Sequence, residues 1–432
     1  MNARALTLIG ALLAGWVLLL AATTPVPSED GVSYLWMAQR FAAGDCTAAL
    51  ATVFPPGYSL LLAPAIALGA APEAAAHWLG AITLAATLWP LARLAASLGG
   101  PAAAGPAVLL FAASPLLSRL GAEVYSEPPF LLLMAWGACA ALRERWFLVG
   151  LCSALAFWIR PEGSLLAASY MLVQPRQAWR ALLPVAGGVL ALATLRWWCG
   201  HGFDPLPIHA FHEQRDDLPE RGRLFSNLLA LPGPWCEAFA LAGLLVLPCL
   251  RWQPKAARPL VWQVLLQVAV ILTFVVRRRF FVSCAIAVHA LAGPVLAKLR
   301  KPWRVGLLAA ALLLALWSGA TGGIEANRAV ERDLGEWLRP QLRSGERLVC
   351  DLPRVVWYAG QPPQPPRHHT AAQMAAMVAA PEVTCVVLRT RGDRSQFTQL
   401  QPQLLQRFER KALPEPLAAA ADARGVAVFV RR

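Results

Sequence analysis

Residues 27–45 read PSEDGVSYLWMAQRFAAGD and begin just where the first long apolar run, residues 5–22, has ended. Two carboxylates, Glu29 and Asp30, arrive at once. Residues 31–43 then carry a helical pattern, with Tyr34, Met37, Ala38 and Phe41 on one face and Ser33, Gln39 and Arg40 elsewhere. Such a helix suits the membrane interface rather than a crossing, and it holds its acids at its N-terminus above the hydrocarbon surface. Capping accounts for an acid there as readily as chemistry does, because the helix dipole favours a carboxylate at that end.

Working outward, composition sets the class. Of 432 residues, 57% are hydrophobic and 15% are charged, and the mean hydropathy is +0.49. Soluble domains carry about a quarter charged residues, so a polytopic, mainly α membrane protein is expected. Apolar segments at 5–22, 74–98, 103–118, 129–142, 146–158, 164–173, 181–198, 237–250, 260–276, 280–297 and 305–319 give about 11 crossings, the fifth and sixth of them short. Most Lys and Arg behind the net charge of +14 flank these runs, where they act as topology signals and headgroup contacts, so nucleic acid is not expected as a partner. With Arg4 inside, every inside loop is basic, from Arg93 through to the cluster at 298–304. The N-terminus is then cytoplasmic, and the first helix is retained, since Thr23, Thr24 and Pro25 make a poor cleavage site.

This topology divides the chain into a transmembrane domain, 1–320, with outer loops at 23–77, 119–128 and 200–236, and an extracytoplasmic tail, 321–432. The tail has short apolar runs of strand length, GERLVCDL, EVTCVVLRT and GVAVFVRR, and between them helical stretches such as DLGEWLRPQL. A small α/β domain is the natural reading. The nine cysteines include no CxxC pair. Cys199 with Cys236, and Cys350 with Cys385, suit disulfides on an oxidising outer face, and buried thiols account for each pair equally.

Arg277, Arg278 and Arg279 fall at the outer end of the ninth crossing. They are either an inside anchor, with the count off by one, or an anion site whose guanidinium forks match phosphate oxygens. His201, His209, His212 and Glu213 lie in a proline-interrupted loop that aligns no ligand set, so zinc is disfavoured against solvated or acceptor contacts. His368 and His369 have no assigned role.

Further motifs follow in order: FPPGYSLLLAP at 54–64, AEVYSEPPF at 122–130, WIRPEG at 158–163 and GHGFDPLP at 200–207. With Asp30 and Tyr34, with Pro55, Pro56 and Tyr58, with Glu127, and with Arg160, Pro161, Glu162 and Gly163, the chain resembles the GT-C superfamily of integral membrane glycosyltransferases. The branch it resembles contains protein O-mannosyltransferases and aminoarabinose transferases. Two departures narrow the resemblance: Gly31 stands where the branch has a second acid, and Phe54 where aminoarabinose transferases have a Lys. Aminoarabinose transfer itself is therefore not implied.

The resemblance implies a donor sugar linked through phosphate to a polyprenol, and transfer at the outer surface to a glycan, lipid or protein acceptor with inversion. Asp30 is then the candidate general base, and Glu127 orients the acceptor or helps hold a divalent cation such as Mg or Mn. Glu29, Tyr34, Tyr58, Arg160, Glu162 and Arg277 to Arg279 are candidate substrate contacts, the arginines at the lipid phosphate. For Arg160 and Glu162, a local ion pair at membrane depth is an equal alternative. A flippase for a lipid-linked sugar would share the basic site and the helices but needs no base, and the chain shows no duplicated halves. A structural scaffold explains the outer domain but gives these charges no task.

Overall fold

Proline and glycine punctuate the apolar runs, and the helices follow that punctuation. The helix Pro72–Gly99 opens on Pro72 and stops at Gly100, whose φ of 78° lies in the left-handed region that glycine enters without strain. Pro101 then opens Pro101–Ala112, and Pro115 opens Pro115–Ala122, the two meeting at a 55° bend. The computed structural model describes residues 1–24, 26–206, 223–246, 255–273, 276–321, 326–343, 345–362, 371–391 and 397–432. They fold as two units, Met1–Ala22 with Ala38–Gly322, and Thr23–Met37 with Gly323–Arg432. The division falls inside the helix Glu29–Ala42, between Met37 and Ala38.

The first unit is a helical assembly with leucine- and alanine-rich contacts. Pro72–Gly99 packs on Glu127–Ala141 and on Pro101–Ala112, and Ala285–Lys298 packs on Pro101–Ala112. Close backbone approach needs small residues there: a Cβ on Gly293 would come within 2.7 Å of the Ala103 carbonyl oxygen. Among the described residues, Ala3–Thr23, Pro72–Gly99, Pro175–Trp198 and Arg278–Lys298 are the 4 helices long and apolar enough to cross a membrane, 5 with the bent pair. Two other expected crossings appear as shorter apolar helices of 10–17 residues, Trp146–Ile159 and Arg258–Thr273, and a third such helix, Gly57–Ala67, falls in the stretch expected as the first outer loop. A count of 11 therefore does not emerge from helix length and composition.

The second unit is a four-stranded sheet in the order β1-β2-β4-β3, with β1 (Arg347–Cys350), β2 (Val383–Arg389), β3 (Phe408–Arg410) and β4 (Val426–Arg431). β1 and β2 run parallel, and the other pairs are antiparallel. Side chains alternate between two cores. Leu348, Cys350, Cys385, Val387, Val426 and Val428 face Leu334, Leu338, Val355 and Val356, whereas Val349, Val386, Leu388 and Phe429 face Met374, Val378, Leu400 and Leu404. Helices thus cover both faces. Cys199, Cys236, Cys350 and Cys385 are all free thiols. For the strand pair the register explains it: Cys385 lies opposite Leu348, which leaves Cys350 two residues further along.

Glu29–Ala42 differs from the expected interfacial helix. Val32, Leu35, Met37 and Ala38 are fully buried, Ser33 and Tyr34 nearly so, and only Gln39 is exposed. Its apolar residues are spread around the helix rather than along one stripe, so protein encloses it. The N-cap is Ser28, whose Oγ accepts the Gly31 amide at 2.8 Å.

Candidate active site

Four of the charged residues singled out in the sequence meet inside the first unit. Glu127 opens the helix Glu127–Ala141 and is 1% exposed. Its Oε1 accepts from Arg160 Nη1 at 2.6 Å and from Arg279 Nε at 2.5 Å. Arg160 also donates through Nη2 to Glu162 Oε1 at 2.9 Å. One carboxylate oxygen is thus gripped by two guanidiniums brought from sequence positions 33 and 152 residues away. Oε2 of Glu127 and Oε2 of Glu162 are buried without a hydrogen-bond partner among the described residues.

Local chemistry delivers each group. Pro161 disfavours the helical conformation for the residue before it, and here Trp146–Ile159 ends and Arg160 turns extended, at φ −152° and ψ 136°. The turn that follows is clasped by Ser153, whose Oγ donates to the Gly163 carbonyl at 2.6 Å. A side chain on Gly163 would strike the backbone of Ala156 and Phe157. Gly57 serves the same region, because its missing Cβ leaves room for the Trp158 carbonyl, and the Pro-Pro-Gly-Tyr segment seats fully buried Tyr58 there. Arg279 sits in the 3-10 helix Arg278–Cys284, and its guanidinium lies 4.3 Å from the centre of the Tyr125 ring. Val124, beside it, holds a φ of 59°, a strained value for a β-branched residue and one of three positive φ values at non-glycine positions among the described residues.

The arginine triplet does not act as a block. Arg279 enters the cluster, Arg278 lies 3.7 Å from Glu237, and Arg277 is exposed with no side-chain partner among the described residues. Four guanidiniums, counting Arg160, stand against the three carboxylates of Glu127, Glu162 and Glu237, leaving one positive charge. Glu127 and Glu162 each have arginine on one of their oxygens, and among the described residues no group of three His, Cys, Asp or Glu gathers. His209, His212, Glu213, His368 and His369 lie outside the described residues. His201 meets the Thr47 carbonyl at 2.7 Å.

Glu29, Asp30 and Tyr34 belong to the second unit. Asp30 is half-buried in the first turn of Glu29–Ala42. Glu29 Oε1 lies 3.6 Å from Arg389 Nη2 and 3.9 Å from Arg354 Nη1. Arg354 is itself 4% exposed, donates through Nε to the Pro27 carbonyl at 2.8 Å and pairs with buried Glu331 at 2.8 Å. Arg424 takes the other oxygen of Glu331 at 3.2 Å. Below it, Asp351 accepts the Arg389 amide at 3.3 Å, and burial pushes its carboxyl up to about 6, with Arg389 opposing.

Sequence reasoning passed over these tail residues, because arginines in a polar domain are unremarkable. It also passed over Gln263 and Gln267, buried amides one turn apart in the apolar helix Arg258–Thr273. They donate to the Ser283 and Phe280 carbonyls at 3.2 and 2.9 Å and so hold the segment that carries Arg279. Two polar side chains at i and i+4 in an otherwise apolar run were the available signal.

No family model matches the chain, and no curated protein does. Solved structures do. A crystal structure of ArnT from Cupriavidus metallidurans bound to undecaprenyl phosphate is 15% identical over 99% of this chain and 98% of that one, with a TM-score of 0.67. An oligosaccharyltransferase from Archaeoglobus fulgidus is 12% identical over 88% of this chain and 69% of its own, with a TM-score of 0.58. The chain thus shares its fold with both proteins, as the sequence motifs led us to expect.

Proposed function

We propose that this chain is a membrane glycosyltransferase that moves a sugar from a polyprenyl-phosphate donor to an acceptor hydroxyl at the outer membrane surface. The Glu127–Arg160–Arg279 cluster, in which Glu127 and Arg160 are buried and Arg279 is half-buried, carries the reading. Arginines converging on one carboxylate form a preorganised site for a second anion, and the likeness to a fold seen with undecaprenyl phosphate supplies its chemical class. The acceptor oxygen attacks the anomeric carbon, the bond from that carbon to the phosphate oxygen breaks, and the configuration inverts. The hydroxyl proton passes to Asp30, and polyprenyl phosphate leaves. The donor phosphodiester carries one negative charge and the departing monoester gains a second, so guanidiniums stabilise the transition state more than the ground state. Arg279 is our first choice for that contact, with Arg160 and Glu162 fixing Glu127, and Glu127 fixing Arg279.

Reconstituted protein offered a panel of undecaprenyl-phosphate-linked hexoses and pentoses should transfer sugar, and Asp30→Asn should bind donor yet lose most turnover. Transfer by Asp30→Asn at the parental rate would remove Asp30 as the base. Movement of the lipid-linked sugar between leaflets, with no bond broken, would replace the enzyme by a flippase.

A further inference from the structure

Asp30 follows directly on three residues that the second unit holds individually. The Pro27 carbonyl takes Arg354 Nε at 2.8 Å. Ser28 caps the helix at 2.8 Å, and the Glu29 carboxylate stands 3.6 Å from Arg389 and 3.9 Å from Arg354. Arg354 cannot drift, because it is 4% exposed and its other arm is fastened to Glu331, which is 1% exposed and held in turn by Arg424. Arg354 lies in the first turn of the short helix Pro353–Tyr358, and Arg389 ends β2, so the segment is tied both to a helix and to the sheet of that unit. A planar guanidinium can serve a backbone carbonyl and a carboxylate together in fixed directions, which an ammonium cannot.

We propose that Arg354, with Glu29 as its satellite, is the positioning device for Asp30: the α/β unit fixes the backbone from which that carboxylate projects. This rests on the reading of Asp30 as the base. It gives the tail a part in catalysis without contact with the sugar, and it makes Glu29 a strut rather than a substrate ligand. General-base catalysis demands that placement, since a displacement of about 1 Å can cost on the order of a hundredfold in rate.

Hydrogen exchange across residues 28–37 of the full chain in nanodiscs, beside transfer kinetics with whichever undecaprenyl-phosphate sugar turns over, tests it. Arg354→Lys keeps the charge facing Glu331 while losing the fork. The expected result is exchange in that segment several-fold faster, kcat lower by about tenfold or more, and donor KM within about twofold. Glu29→Gln should move both readouts the same way by a smaller factor, and it decides the matter if Arg354→Lys shows no cooperative melting. Parental exchange and kcat in both variants would overturn the proposal, as would Glu29→Gln raising donor KM at unchanged kcat. Asp30→Asn at the parental rate would sink the base reading alone, leaving the exchange measurement to judge the anchoring.

Discussion

At Glu127 one side chain sets the charge balance of the first unit's cluster. Its two arginine partners are not equivalent to the exposed members of the triplet, and the magnitudes separate them. A charge-assisted hydrogen bond in a dry site contributes about 1.5–3 kcal/mol, whereas an exposed ion pair contributes about 0.2–1 kcal/mol and is screened by salt. Arg279→Gln should therefore weaken binding of undecaprenyl phosphate by roughly ten- to a hundredfold, at low and high salt alike. Arg277→Gln, removing an exposed group, should cost less than about fivefold, and that effect should vanish near 1 M salt. Scintillation proximity binding of labelled undecaprenyl phosphate checks both. Equal losses for the two variants would mean that the triplet works as a diffuse surface anchor.

Elements hold the charges through close contacts and buried carboxyls, and each gives a measurable consequence. A Cβ on Gly57 would lie 2.6 Å from both C and O of Trp158, and backbone cannot rotate away as a side chain can. Gly57→Ala should destabilise the protein by about 1–3 kcal/mol and displace the helix end that presents Arg160. Gly15→Ala meets nothing within 4 Å and should be neutral or stabilising by up to about 1 kcal/mol. Thermal unfolding in detergent compares the pair. In the second unit, the carboxyl of Asp351 sits near 6 against an ordinary 3.8, with Arg389, Glu331 and Cys350 as its charged or titratable neighbours. The folded state therefore binds this proton more tightly than the unfolded chain does, so stability grows as pH falls through 6 and the gain is complete below about 4. The gain is of order 3 kcal/mol, from a shift of about two units. Opening free energies from hydrogen exchange of β1 and β2 should be higher at pH 5 than at pH 7, and Asp351→Asn, which keeps an acceptor for the Arg389 amide, should flatten the difference.

Across the whole molecule, what was legible in the sequence is what low dielectric makes expensive. Glu127, Arg160, Glu162 and Arg279 stand out as charges in apolar surroundings, and each was readable alone, but their convergence depends on helix packing over as many as 152 residues of sequence. Arg354 and Arg389 were illegible for the opposite reason, since charge is cheap in a polar domain and only burial reveals that theirs is structural. Helix length does not settle the expected count of about 11 crossings, because at the helices of 10–17 residues hydropathy registers an apolar run but not whether it crosses. Orientation is therefore best tested chemically. Cys236 is exposed and belongs to a loop expected on the outer face, whereas Cys350 and Cys385 are buried, and burial pushes both thiols up, Cys385 to about 12. A membrane-impermeant maleimide added to intact cells should label the native chain, and Cys236→Ser should remove most of that signal, while Cys350→Ser and Cys385→Ser leave it unchanged. Labelling of Cys236 only after permeabilisation would invert the topology, and with it the side of the membrane on which the arginine cluster could meet a lipid-linked sugar.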